Sequence, residues 1–301
     1  MLTWIPVTIA AATFQTFRFM LQKVLSSVTL SPGGATFARF AYSAPFILSG
    51  LAIYLYASGQ SLPHLSGQFW LYALIGSISQ IVATICVVAL FKQRNFAVGI
   101  TFKKTEVIQT AIVGLAVLGD AISAWGWVAI LLGLSAVLVL SKPPEATGAW
   151  WRHLTNTASR LGLGAGVLFA FSAVSYRGAS LQLGDLAPVF RAAVTLASVV
   201  SLQTLLMVIW LVWREKGEIT RVWQARRVAI WVGLTSLGGS FCWFWAFTLQ
   251  NAAYVKALGQ VELLLSILAS LLFFKEKISR REVVGMALLV LSILALGLAL
   301  Q

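Results

Sequence analysis

The stretch AAYVKALGQVELLLSILASLLFFKEKIS, residues 252–279, decides the fold. At a constant offset it repeats FAVGITFKKTEVIQTAIVGLAVLGDAIS, residues 96–123. One shift, 262 − 106 = 156, lays Glu106 on Glu262, Ala97 on Ala253, Asp120 on Glu276 and Ile122-Ser123 on Ile278-Ser279. Just upstream, the same shift lays Cys86 on Cys242, Phe91 on Phe247 and Asn95 on Asn251. A single offset that holds across the last three apolar blocks of each half marks a duplication. In the first two blocks the repeat needs a gap, and Arg39 and Arg191 are the counterparts there.

Working outward, the chain of 301 residues is 59% hydrophobic and 10% charged, against roughly 25% charged in an average soluble domain. Its apolar residues come in long blocks without period-two alternation, which predicts helices that satisfy their own backbone in a bilayer rather than a membrane barrel. The spans fall at 3–21, 34–57, 69–91, 96–118 and 122–140, then 160–178, 187–213, 228–249, 253–274 and 282–300. The expected class is therefore an all-α integral membrane protein with ten transmembrane helices in two inverted five-helix repeats. The repeats occupy 1–141 and 160–301. Between them, 142–159 reads as a linker, with Pro143, Pro144 and Glu145 among polar residues. Five helices per half is an odd number, so the second half enters the membrane upside down relative to the first, an arrangement common among secondary transporters. The first span, beginning close to Met1 without a basic leader, reads as a retained helix rather than a signal peptide.

Lysine and arginine set the orientation. Of the 22, Arg39, Lys103, Lys104, Arg191 and Lys256 fall within spans, and sixteen of the rest fall in odd-numbered loops, counting Arg18 at the edge of the first span. Only Arg177 falls in an even-numbered loop. The odd loops are expected in the cytoplasm and both termini outside, with Arg214–Arg227 and Lys275–Arg281 as the strongest anchors. Tryptophans such as Trp70, Trp125, Trp213 and Trp231 mark the interfaces. Cys86 and Cys242 lie in apolar blocks and form no CxxC or Cys/His cluster, and His64 and His153 fall in loops. No metal, haem or other cofactor is expected, and no enzyme, because no span carries a histidine or a nucleophile–base constellation. The net charge of +13 is scattered over short loops, so no nucleic-acid partner is expected. The expected partners are a small-molecule substrate and membrane lipid, with the protein a monomer or weak homodimer.

The functional residues should lie at midplane, where an ionised side chain costs several kcal/mol unless paired or hydrated. Glu106 and Glu262 sit at the middle of the fourth and ninth spans. Helical spacing places Lys103, Glu106, Gln109 and Thr110 on one face, and Glu262 and Ser266 on the matching one, with Lys256 and Gln260 nearby. The competing reading of Lys103 and Glu106 is a buried pair that only fixes helix packing. Arg39 and Arg191 are candidates for guiding a carboxylate or phosphate, or else snorkel to the interface. Trp243 and Trp245 lie deep enough for an aromatic ring to line a cavity. Gly162, Gly164 and Gly166 read as close helix packing.

The run Gln260-Val261-Glu262-Leu263-Leu264, then Lys275-Glu276-Lys277-Ile278-Ser279, then Gly285, resembles the closing signature of EamA-type members of the drug/metabolite transporter superfamily. Glu106, Asp120, Ile122 and Ser123 resemble the same signature in the first half, and Arg39 and Arg191 resemble the arginine of the second helix of each repeat. The proline often found after the mid-helix glutamate is replaced by Val107 and Leu263, and Lys103-Lys104 before Glu106 is unusual. The resemblance implies a transporter whose relatives carry amino acids, nucleotide sugars, other metabolites or drugs. Members are commonly described with cytoplasmic termini, whereas the charge count here places both outside. The combined expectation is a secondary transporter, an exporter in a bacterial inner membrane. It would move a small polar metabolite such as an amino acid or organic acid by alternating access, with proton coupling through Glu106 or Glu262 left open. The rivals are a multidrug exporter of lipophilic cations that uses the two glutamates as counter-charges, and a membrane scaffold without transport.

Overall fold

The computed structural model describes residues 3–28, 30–90, 103–140, 157–265 and 280–298. The first half contributes α1 (Trp4–Val28), α2 (Pro32–Ala41), α3 (Ala44–Ser58), α4 (Gly67–Leu90), α5 (Glu106–Leu118) and α6 (Ala124–Leu140). The second contributes α7 (Thr157–Leu181), α8 (Pro188–Arg214), α9 (Glu218–Gln224), α10 (Arg226–Leu249), α11 (Ala252–Leu258) and α12 (Arg280–Leu298). Among the described residues there is no strand. Five segments are long and apolar enough to cross a membrane: Pro32–Ser58, α4, α7, α8 and α10. Glu106–Leu118, Ala124–Leu140 and Val283–Leu298 are shorter apolar helices. Leu205, Ile209 and Val212 form an exposed apolar stripe on α8, as do Leu291, Leu294 and Leu298 on α12. Stripes of this kind suit lipid rather than water.

Three predicted spans are not single helices. The second is divided at Tyr42–Ser43 into α2 and α3. Pro45, in the first turn of α3, has no N–H and would clash with a helical carbonyl four residues back. Ser43 Oγ donates instead to the carbonyls of Arg39 and Phe40, at 2.9 and 3.0 Å. In the fourth, α5 begins only at Glu106, with Thr105 as its N-cap after a turn. In the ninth, α11 ends at Leu258, Gly259 and Gln260 form a turn, and helical backbone resumes over 261–265. Both breaks therefore lie immediately before the midplane glutamates. The first predicted span is too short at its end, because α1 runs on to Val28.

Helices from opposite halves pack on each other. α4 lies most extensively on α7, and α1 on α10. Glycine allows the first contact: a methyl group on Gly76 would lie 2.5 Å from the Tyr176 ring, and one on Gly178 would lie 2.9 Å from the Tyr72 ring. Tyr176 also donates to the Gly76 carbonyl at 2.9 Å. On α10, Gly238 and Gly239 face Phe14 of α1. A third pair, α6 on α12, is pinned where Ser292 donates to the Ala129 carbonyl at 2.7 Å. α2 is held at its start by the α8–α9 connection: Ser31 N–H donates to Glu218 at 2.6 Å, and Ser31 Oγ to Glu215. Two carboxylates thus face the N-terminal end of α2, the end whose dipole favours negative charge. At the α2–α3 joint, Gly233 of α10 lies so close to Tyr42 that a methyl group there would be 2.8 Å from the Tyr42 carbonyl carbon.

Candidate functional site

A cavity of about 510 Å³, counting the open space at its mouth, lies among α1, α2, α4, α7, α10, α11 and Lys103 just ahead of the turn into α5. Four cationic side chains line it: Arg18, Arg39, Lys103 and Lys256. Gln15, Gln80, Ser172 and Ser240 supply neutral polar groups, and Phe169, Tyr176, Trp243, Phe244 and Phe247 supply most of the aromatic wall. Among the described residues, no carboxylate faces the space.

The two midplane glutamates stand behind the lysines. Glu106 Oε1 is 3.1 Å from Lys103 Nζ and 3.7 Å from Lys256 Nζ, so one carboxylate oxygen serves two lysines. Glu262 Oε2 is 3.3 Å from Lys104 Nζ and accepts from Gln15 Nε2 at 2.9 Å. Trp243 Nε1 in turn donates to Gln15 Oε1 at 3.1 Å, linking the wall to Glu262. Two of these ion pairs, Lys256–Glu106 and Lys104–Glu262, run between the halves. Lys256 Nζ also lies 5.0 Å from the Trp243 ring and 5.6 Å from Phe169, while Lys103 Nζ lies 5.1 Å from Phe169. Ring faces at such distances stabilise a buried ammonium. Lys103 and Glu106 are 3% and 5% exposed, and a charge buried that deeply persists only when paired.

Arg39 is held by neutral groups. Its Nε donates to Ser236 at 2.8 Å, Nη1 to Thr84 at 3.1 Å and Nη2 to Ser240 at 3.2 Å. With its amide oxygen turned toward Arg39, as the bonding there requires, Gln80 accepts from both Nη atoms at 3.0 Å. Arg18, only 4% exposed, donates from Nη1 to Gln22 at 3.1 Å. Neither arginine has a carboxylate within ion-pair distance among the described residues.

Of the residues expected at the site, Arg39, Lys103, Lys256 and Trp243 meet in the cavity wall, and Glu106 and Glu262 lie one layer out. Gln109 is turned away, donating to Thr105 Oγ1 at 3.1 Å and facing Gly166. Thr110 caps the carbonyl of Glu106 at 2.7 Å. Gln260 is buried in the turn after α11. Arg191 donates to the Ser180 carbonyl at 2.9 Å, tying α8 to the end of α7 away from the cavity. Trp245 packs tilted against Phe241 at 6.3 Å between centroids. Ser266 lies outside the described residues. Arg18, Gln15, Gln80, Phe169, Tyr176 and Ser240 were not anticipated. The four-residue spacing from Arg18 to Gln22, within a helix read seven residues further, is the signal that could have placed Arg18.

Beyond the cavity, Arg177 clasps three segments. It forms a bidentate pair with Asp120 at 2.7 and 3.2 Å and donates to the carbonyls of Phe247 and Gln250, both at 2.9 Å. Ser180 and Thr248 share a 2.5 Å hydrogen bond beside it, and Ser123 bonds the Tyr254 hydroxyl at 3.1 Å. Arg177 was counted as a loop charge; it is the last cation of α7.

No curated protein matches the chain in sequence. Among solved structures, 28 chains match. One of them, described only as the crystal structure of a protein, superposes with a TM-score of 0.67 over 97% of this chain and 96% of its own, at 15% identity. That likeness shows a shared fold. Residues 156–298 match the sequence model of the EamA-like transporter family. The chain thus has several helices able to cross a membrane, and its second half, residues 156–298, is similar to the EamA-like transporter family.

Proposed function

We propose that the protein is a secondary transporter of a small polar metabolite bearing an acidic group, such as an organic acid or an amino acid. It works by alternating access, as an exporter in a bacterial inner membrane. The full architecture is ten spans in two inverted repeats, 1–141 and 160–301 joined by 142–159. Three observations support that architecture: the constant sequence offset, the matched breaks before Glu106 and Glu262, and the reciprocal packing of α1 on α10 and α4 on α7. Discontinuous helices at the midplane are where transporters of this design hold their substrates. The observation that carries the substrate reading is the lining itself, four cations and no carboxylate among the described residues. A cationic drug entering this space would meet Lys103 and Lys256 before either glutamate, so the multidrug reading loses its counter-charges.

The test is concentration-dependent uptake by reconstituted protein, with an organic acid, an amino acid and a cationic dye, in wild type and Lys103→Gln. Wild type should carry an acid, and Lys103→Gln should lower that uptake at least about tenfold, because it removes one buried charge of the lining and leaves Glu106 only Lys256, at 3.7 Å. Improved dye transport with no loss of acid transport would sink the reading.

A further inference from the structure

The charges around the cavity do not balance. Arg18, Arg39, Lys103 and Lys104 are buried there and Lys256 nearly so, and the carboxylates that answer them are Glu106 and Glu262. Five cations against two anions leave an excess of three. The other described carboxylates are committed or distant. Asp120 belongs to Arg177, Glu215 and Glu218 bond Ser31 at the start of α2, and Asp185 is exposed. A guanidinium has five N–H donors in a rigid fork. Arg39 spends its donors on hydroxyls and an amide, which satisfy its hydrogen bonds and leave its charge unanswered. Arg18 spends one on Gln22 and lines the cavity. Uncompensated buried charge is costly, and an open guanidinium fork is shaped for a carboxylate or a phosphate.

The excess also separates classes of acid. An amino acid is neutral overall, and its ammonium would need a carboxylate or an unoccupied aromatic face. No described carboxylate lines the space, and the faces of Phe169 and Trp243 are already taken by Lys103 and Lys256. A monoanion answers one cation of the three. The cations come in two pairs from different elements: Arg18 and Arg39 on α1 and α2, without a carboxylate in ion-pair distance among the described residues, and Lys103 and Lys256 on Glu106.

Resting on the transporter reading, we infer that the cavity takes a small organic dianion without a positive charge, one acidic group on the Arg18–Arg39 side and the other on the Lys103–Lys256 side. The aromatic wall accommodates the carbon framework between them. Arg18 is the anchor of the first group, and Arg39 supports it by charge.

The experiment keeps the ring constant and varies the charge. Purified full-length protein is titrated with isophthalate, phenyl phosphate, benzoate, phenylalanine and tetraphenylphosphonium, and the same solutes are offered to proteoliposomes. Isophthalate or phenyl phosphate should bind at least about tenfold more tightly than benzoate or phenylalanine, one added charge-assisted contact being worth that much. Which of the two binds tells a dicarboxylate from a phosphate monoester. Arg18→Gln should reduce the dianion preference to near unity, and Arg18→Lys, which keeps the charge, should retain part of it. Thermal unfolding of each variant shows that the change is not a loss of fold. Benzoate or phenylalanine binding as tightly as both dianions, tetraphenylphosphonium binding best, or no dianion binding at all would each overturn the inference. Dianions that bind but are not moved would overturn the transporter reading and leave the inference standing. Equal uptake of benzoate and isophthalate would do the reverse.

Discussion

Glu106 answers two lysines with one oxygen, at 3.1 and 3.7 Å, and that sharing makes it the residue whose loss matters most to the buried cluster. Removing one partner of a buried ion pair strands the other charge and costs about 3–5 kcal/mol. Glu106→Gln should therefore lower the unfolding free energy of the purified protein by an amount in that range. Adding Lys256→Met to Glu106→Gln should recover part of the loss, since one of the two stranded ammonium groups is then gone. Single and double variants with equal stability would mean that Lys256 and Glu106 are not coupled. Half of this cluster was legible in the sequence. Lys103 and Glu106 stand one helical turn apart, and the spacing alone announces their pair. The pairs Lys256–Glu106 and Lys104–Glu262 were not legible, because they cross between halves that are separated by 150 or more residues. Arg18 was missed for a different reason: a 19-residue span stopping at Leu21 leaves it at an interface, whereas α1 continues to Val28 and carries it inside.

At the level of the helices, the breaks before Glu106 and Glu262 are what turn two long apolar blocks into site-building elements. Nothing in the sequence at Lys104–Thr105 announces one. No proline or glycine stands there, and Val107 follows the glutamate. Pro45 marks the break in the second span, which the mostly apolar character of 34–57 reads across. Glycine contacts were legible only in part. Gly166 does lie against Gln109 and the Lys103 carbonyl, but Gly164 faces open space. The α4–α7 seam offers a direct check. Gly76→Ala places a methyl group 2.5 Å from the Tyr176 ring, and Tyr176 is fixed by its bond to the Gly76 carbonyl and by Gln203 at 2.9 Å. Overpacking of this kind costs about 1–3 kcal/mol. Gly50→Ala on α3, where nothing lies within 4 Å, should be neutral or slightly stabilising. The pair of thermal unfolding curves distinguishes a packing glycine from a tolerated one, and equal midpoints would mean that the seam can open without cost.

For the molecule as a whole, orientation follows from charge. Moving Arg18 from the loops to the interior and Arg177 into α7 changes the asymmetry from sixteen against one to fifteen against none, counted over the 22 lysines and arginines, so the expected orientation is unchanged. The connection that carries α9, with Arg214, Lys216, Arg221, Arg226 and Arg227 in and around it, should face the cytoplasm. A reporter fused after Gln301 should read as external, and a cytoplasmic signal from a correctly inserted fusion would reverse the topology. One helix ties the other features together. On α10, Gly233 bears on the Tyr42 joint, Ser236 and Ser240 hold Arg39, Trp243 and Phe244 wall the cavity, and the Phe247 carbonyl is gripped by Arg177. All lie on one unbroken stretch of about 21 Å at 1.5 Å per residue. Under the alternating access proposed above, α10 would act as a lever with its fulcrum at Gly233: a stroke pivoting it there to free its far end from Arg177 would sweep the hydroxyls that hold Arg39 across the cavity, so that loading the site and unclasping it would be one mechanical act.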